Sequence, residues 1–317
     1  MAENFYDDNW DEHYIKKGNP AAPTYYIIRR FDRNVGLFAH YIVFAGHIKY
    51  ALSQGYIPVI DMQNYPNTLL EPALLGKKNS WEYYFKQPFN IGLDQAYNGE
   101  NVILSPEKPK TPIASEGFSA YFNNKNGQLD EWRILVKWGF LKVQPHIQQE
   151  IDDTYAKLFS PNDRVLGVLL RGTDYVATKP FQHPIPPPIE YALPKVILKL
   201  REWNCNKIFL ATEDINIVQT CKKVLGENCY TLPGKTYLNY DGKTHITLYH
   251  ADRENDYYLL GKEYLIQMGI LAKCNSFIAS RTSGSMGVVM MADKLEHIYT
   301  FNLGQYNFIN MKEFEDD

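Results

Sequence analysis

The sequence predicts an α/β protein of two doubly wound domains with parallel sheets, and three observations predict it. The chain has 317 residues, more than one core usually organises, since single cores stop growing near ~250–300 residues. Short apolar runs of buried-strand type alternate with longer stretches of helical period, the order of parallel strands joined by crossover helices. Polar residues gather directly after several of the strand-like runs, the place where such sheets present groups to ligands.

Residues 24–30, TYYIIRR, form the first strand-like run. Through FDRN the chain enters VGLFAHYIVFAGHIKYALSQG, a stretch of helical spacing ending at Gly55, and IPVIDM at 57–62 reads as a second buried strand. This is one strand–helix–strand unit. Its helix starts near Arg33, Asn34 and Gly36, where backbone N–H groups face a ligand cleft. QNYPN is a turn, NSWEYYFKQP a short aromatic helix and NVILSP another strand. Residues 108–130 read as a long loop rich in Pro, Gly, Asn and Lys, and helices resume at about 130–158. Pro161-Asn162-Asp163 marks the junction of two domains, 1–160 and 161–317.

The second half is more regular. RVLGVLLR (164–171), KIFLATED (207–214), NCYTL, SFIAS and HIYTFNL read as strands. IEYALPKVILKLREWN, INIVQTCKKVLG, KEYLIQMGILAKC and SGSMGVVMMAD read as the helices between them.

Composition narrows the function classes. Hydrophobic residues at 45% and charged residues at 22% are ordinary for a globular chain. A net charge of −3 supplies no basic field for nucleic acid. Aromatic residues reach 14%, with 24 Tyr; ring faces suit the C–H faces of sugars, although tyrosines also simply fill cores. Cys205, Cys221, Cys229 and Cys274 show no metal-ligand spacing and read as reduced thiols. The acidic start MAENFYDDNWDEHY has no apolar targeting core and no stretch approaches a membrane span, so a cytoplasmic protein is expected.

Three strand ends carry the chemistry. Arg171-Gly172-Thr173-Asp174 closes an apolar strand: a guanidinium there either grips a phosphate or forms a structural bridge with Asp174. Arg281-Thr282-Ser283-Gly284-Ser285 opens a helix, an anion site by its free N–H groups and dipole, or an ordinary N-cap. Glu213-Asp214 follows the strand KIFLAT and would contact ribose hydroxyls, or cap the next helix. Together they favour a diphosphate ligand. No phosphate loop, GxGxxG, GxSxG, HExxH or strand-end DxD is present, so the positive charge that meets such a ligand is expected from arginine, with no metal and no resident cofactor.

GVLLRGTDYVATKPFQHPI, KIFLATED and FIASRTSGSMGVVMMA together resemble the three-part donor-site signature of the GDP-fucose-dependent fucosyltransferase superfamily. The nearest likeness is to the α1,6-fucosyltransferases, including the nodulation enzymes. It covers about 140 residues of the C-terminal half in order and spacing, while RNVGLFAHYIVFAGHIKYALSQG is only loosely similar to the family's glycine loop and helix.

The resemblance implies a GT-B-like pair of facing Rossmann-like domains, with the acceptor on the N-terminal one near Arg33, Asn34 and Gly36 and the donor on the C-terminal one. It implies an inverting, metal-independent transfer of a hexose from a nucleotide sugar, GDP-fucose favoured, to a glycan. Arg171 falls on the phosphate-binding arginine, Thr173-Asp174 on the residues that follow it, His183-Pro184 on a matching His-Pro, and Thr282-Ser283 on a hydroxyl pair near the phosphates. The chain departs from the pattern at Gly172 (a second arginine), Leu169 (a histidine), Lys179 (a glutamate proposed as base) and Gln267 (an aspartate that reads guanine). Asp174 and Asp32, each after a predicted strand, are the candidate general bases, ahead of His40 and His47 on an apolar helix. Another nucleotide sugar, an epimerase or hydrolase on the same architecture, and a non-catalytic nucleotide- or glycan-binding relative are the alternatives.

Overall fold

The computed structural model describes residues 13–30, 34–106, 128–181, 183–237 and 246–306. It divides into two compact units, one of Met1–Ile147 with Asn255–Lys262, the other of Gln148–Glu254 with Glu263–Asp317.

The first unit is built on a sheet of β1 (His13–Lys16), β2 (Thr24–Arg29), β3 (Ile57–Asp61) and β4 (Asn101–Leu104), in the order β1-β4-β2-β3. The strands β3, β2 and β4 are parallel, as their apolar runs predict. An antiparallel edge strand, β1, is added by a polar segment in which no strand is expected. Helix α1 (Leu37–Ser53) joins β2 to β3 and ends at Gln54 before Gly55, whose φ of 74° suits glycine. Two short helices follow, α2 (Trp81–Tyr84) and α3 (Leu93–Tyr97); α3 is too short to carry a visible period.

The outer edge of β3 is closed by side chains instead of another strand. Buried Gln87 accepts from the Ile60 amide at 2.9 Å and donates to its carbonyl at 2.7 Å, while Asn79 accepts from the Met62 amide at 3.1 Å. The exposed ladder of an edge strand is thereby satisfied internally. Trp81, fully buried in the same segment, stacks on Phe85 with centroids 4.4 Å apart.

The second unit holds β5 (Val165–Leu169), β6 (Lys207–Ala211), β7 (Cys229–Tyr230), β8 (Ser276–Ser280) and β9 (His297–Phe301), all parallel, in the order β7-β6-β5-β8-β9. The chain runs outward from β5 to β7 and then returns to the other side of β5 at β8. The sheet therefore reverses between β5 and β8, and at such a point the loops leaving two neighbouring strands diverge and open a crevice.

The helical stretch read at about 130–158 is two helices, α4 (Gln128–Lys137) and α5 (Pro145–Leu158), with Gly139 at φ 85° between them. The division between the two units falls at Ile147/Gln148, inside α5, and beyond it the helix packs within the second unit, where a Cβ on Gly269 would lie 2.5 Å from Ile151. The remaining helices are α6 (Thr173–Thr178), α7 (Ile189–Glu202), α8 (Ile215–Leu225), α9 (Asp256–Lys273) and α10 (Ser283–Met291). Cys205, Cys221, Cys229 and Cys274 are buried free thiols. Among the described residues no helix is long and apolar enough to cross a membrane.

Helix α1 buries both histidines. His47 is a satisfied core residue, its Nδ1 lying 3.0 Å from the Tyr26 hydroxyl. Neither ring nitrogen of His40 has a hydrogen-bond partner among the described residues. Burial first, then the charge of Arg30, holds its pKa well below 6.5. The unfolded chain thus binds this proton at a higher pH than the folded one, so the contribution is full above pH ~6.5 and stability falls as pH drops below it, by up to ~1.4 kcal/mol per pH unit. His40→Phe is expected to flatten that decline in urea unfolding measured between about pH 6.5 and 5. Equal slopes for the two proteins would contradict it.

Candidate functional site

The C-terminal ends of β5, β6 and β8 bring three of the sequence-selected segments to one edge of the second sheet. Strand β5 delivers Arg171, whose side chain is 15% exposed and is held by two acids. Its Nη2 donates to Asp174 Oδ1 at 2.9 Å, while its Nε lies 3.1 Å from Glu213 Oε1 without aiming its hydrogen at that oxygen. The guanidinium also lies 4.5 Å from the Tyr175 ring centre. Burial alone would lower the Arg171 pKa, but Glu213, Tyr175, Asp174 and Tyr264 together raise it well above its usual value. The result is a permanently charged, pre-oriented cation at the reversal of the sheet.

Asp174, 1% exposed, has both oxygens engaged: Oδ1 by Arg171 and the Tyr175 amide, Oδ2 by the Ile246 amide at 3.2 Å. As arranged it orients Arg171 and ties down the segment at Ile246; it is not poised as a base. Glu213 is likewise an organiser, accepting from the Gly172 amide at 3.0 Å and the Thr173 hydroxyl at 3.1 Å. Asp214 takes the capping alternative, with Oδ1 accepting from the Asn216 amide at 2.8 Å to start α8. Its other oxygen explains Gly172: a Cβ there would sit 2.4 Å from Asp214 Oδ2. The second arginine of the resembled pattern cannot be seated without displacing that cap.

After β8, Thr282 and Ser285 form a reciprocal capping box on α10. Ser285 is fully buried, and its hydroxyl lies 2.8 Å from the Ser280 carbonyl, so it serves the turn rather than a ligand. The Ser283 and Gly284 amides have no protein acceptor among the described residues, leaving two donors at the positive end of the helix. Gly284 makes room for Tyr264: a Cβ would lie 2.1 Å from the Tyr264 hydroxyl, so a larger residue requires that side chain to move. Arg281 is half-buried and its Nε has no partner among the described residues. Gln267 is 2% exposed on α9 and its Nε2 is also unpartnered among the described residues. His183 completes a short array, its ring edge-on to Tyr175 at 5.3 Å and its Nδ1 3.0 Å from the Phe181 carbonyl.

Sequence reasoning missed Tyr264 and Lys235. Burial pushes the Tyr264 phenol up to about 12, against the charge and hydrogen bond of Arg171. Lys235, after β7, has its pKa lowered first by burial, with Arg253 and Arg171 adding to the fall and Glu263 and Glu213 opposing it. Neither residue stands in a motif, and only the packing of α9 and the β7 loop reveals them. No group of three or more His, Cys, Asp or Glu side chains able to hold a metal lies among the described residues.

In the first unit, Gly36 caps α1 with its carbonyl accepting from the Ala39 amide at 3.0 Å, and Asn34 is exposed just before it. Asp32 and Arg33 lie outside the described residues.

No protein-family model matches the sequence, and no curated protein matches it. Solved structures do match. A selenomethionine form of the fucosyltransferase NodZ from Bradyrhizobium aligns with a TM-score of 0.53 at 16% identity, covering 88% of this chain and 95% of that one. NodZ α1,6-fucosyltransferase soaked with GDP-fucose aligns with a TM-score of 0.52, and the form co-crystallised with GDP with 0.51, each at 15% identity over 85% of this chain and 93% of that one. The chain therefore has the two-domain, Rossmann-like α/β fold of these fucosyltransferases.

Proposed function

We propose that the chain is a glycosyltransferase that moves a hexose from a nucleoside-diphosphate sugar to a glycan acceptor, with GDP-fucose the favoured donor. The observation that carries this reading is Arg171, a charged guanidinium fixed between Asp174 and Glu213 at the reversal of the second sheet. The Ser283 and Gly284 amides, on the neighbouring strand's loop, add two hydrogen-bond donors. NodZ structures of the same fold were soaked with GDP-fucose and co-crystallised with GDP, which is why a guanine nucleotide is favoured despite Gln267.

In the proposed reaction an acceptor hydroxyl attacks the anomeric carbon as the bond to the diphosphate oxygen breaks, inverting that centre. The hydroxyl proton passes to a general base, and the electron pair leaves with the diphosphate. Arg171, with Arg281 and the amides at the start of α10, stabilises the charge growing on that leaving group, which replaces the role a metal plays in other transferases. With both oxygens of Asp174 engaged, the base falls to Asp32, beyond the described residues. Acceptor recognition belongs in this reading to the first unit around Arg33, Asn34 and Gly36. The reading places the protein in the cytoplasm, in the synthesis of a polysaccharide or a lipid-linked glycan.

The test is a thermal-shift titration with GDP, UDP, CDP and dTDP in EDTA. A nucleotide at ~100 times its Kd stabilises the fold by about 2.7 kcal/mol. Selective stabilisation by GDP is expected. Selectivity for another nucleotide changes the sugar, and no response to any of the four refutes the donor site.

A further inference from the structure

The first unit carries a cavity of about 420 Å³ lined by Glu71, Glu82, Tyr83, His146, Tyr257 and Tyr258, none of which belongs to the site above. Its aromatic wall is rigidly built. The Tyr258 ring stacks on Tyr84 at 5.9 Å and 15°, and meets Tyr83 edge-on at 5.8 Å and 86°. Tyr84 is fully buried, with its hydroxyl 3.0 Å from the Tyr258 carbonyl. Gly261 has no room for a side chain, because a Cβ would come 2.4 Å from the Tyr84 ring and hydroxyl.

The polar groups of the cavity are fixed as well. Glu82 is exposed, yet its Oε1 is held by Gln87 Nε2 at 3.1 Å, and Gln87 is itself anchored to Ile60. The Tyr258 hydroxyl lies 3.4 Å from His146 Nε2. Glu71 stands close enough to Tyr83 to reinforce the rise that burial gives its phenol pKa.

Half-exposed ring faces beside an immobilised carboxylate suit a sugar: the ring covers its C–H face and the carboxylate accepts from its hydroxyls. The volume is that of a small-molecule pocket. A cationic group would also be drawn to rings and carboxylates, but it offers no acceptor to the O–H and N–H donors of the phenols and His146, whereas a sugar hydroxyl both donates and accepts. We propose that this cavity is a saccharide-binding subsite that takes a neutral sugar residue of the acceptor glycan, resting on the transferase reading for the word acceptor.

The experiment is calorimetric titration of the full chain with maltotriose, cellotriose, chitotriose and xylotriose, for the wild type, Tyr83→Ala and Glu82→Gln, with a parallel GDP titration of each. At least one trisaccharide is expected to bind the wild type. Tyr83→Ala and Glu82→Gln are each expected to weaken it about tenfold or more, the loss of one good contact, with GDP binding unchanged. Binding by none of the four, equal binding by wild type and variants, or competition by a lysine-rich peptide but by no sugar would overturn the proposal. Sugar binding without nucleotide binding would leave the subsite standing and sink the transferase reading instead.

Discussion

Arg171→Ala is expected to abolish selective nucleotide stabilisation and to cut turnover by on the order of 10²–10³, the cost of removing one fixed donor from a developing anion. The expectation rests on how the cation is held. Its side chain is 15% exposed, clamped by Asp174 and flanked by Glu213, and backed by the Tyr175 ring, so a bound phosphate would meet it with little reorganisation. The same clamp means that removal also leaves two acids without their cation, and the variant must be assayed below its own melting temperature. Arg171→Lys separates the two effects: it keeps the charge but not the planar fork, and should fold well while losing most of the rate. Transfer from GDP-fucose, followed as release of GDP with and without acceptor, is the measurement. Full turnover by a folded Arg171→Ala protein would remove Arg171 from the mechanism.

The second large effect is on stability. Asp174→Ala removes a carboxylate that is 1% exposed and serves Arg171, the Tyr175 amide and the Ile246 amide together. Breaking a buried pair by deleting one partner costs about 3–5 kcal/mol because the other charge is left uncompensated. Here Glu213 still faces Arg171, so the lower end, about 3 kcal/mol, is expected in urea unfolding. Turnover should fall as well, because the guanidinium loses its orientation. A stability loss under ~1 kcal/mol would show that the pair is solvated and carries little of the site.

Much of the second unit was legible residue by residue. The runs at 165–170, 208–211 and 277–279 are apolar because their strands are covered on both faces, and burial of β5 and β8 is complete. Arg171 stood out because an arginine ending such a run must find acids or a ligand. The capping readings of Asp214 and Thr282 were also available from residue type and position. Less was legible in the first unit. Strand β1 exists because a polar segment satisfies the free edge of β4, a pairing over long sequence distance that no local pattern records. Gln87 and Asn79 close the opposite edge for the same reason.

The sequence by itself determined the alternation of strand and helix, the two-unit scale, and the residues placed at the strand ends, because each is written in local period and residue chemistry. Only the tertiary structure decided that β8 returns beside β5, and so that the loops of Arg171 and Ser283 leave neighbouring strands. It alone made Asp174, a candidate base, and Glu213, a candidate ribose contact, the braces of Arg171, filled the space over Gly172 with Asp214, and brought Tyr264 against Gly284. The physical reason is the same in each case. Strand order and side-chain satisfaction are settled by which distant groups can bury and pair one another, and that free energy is not carried by any segment alone.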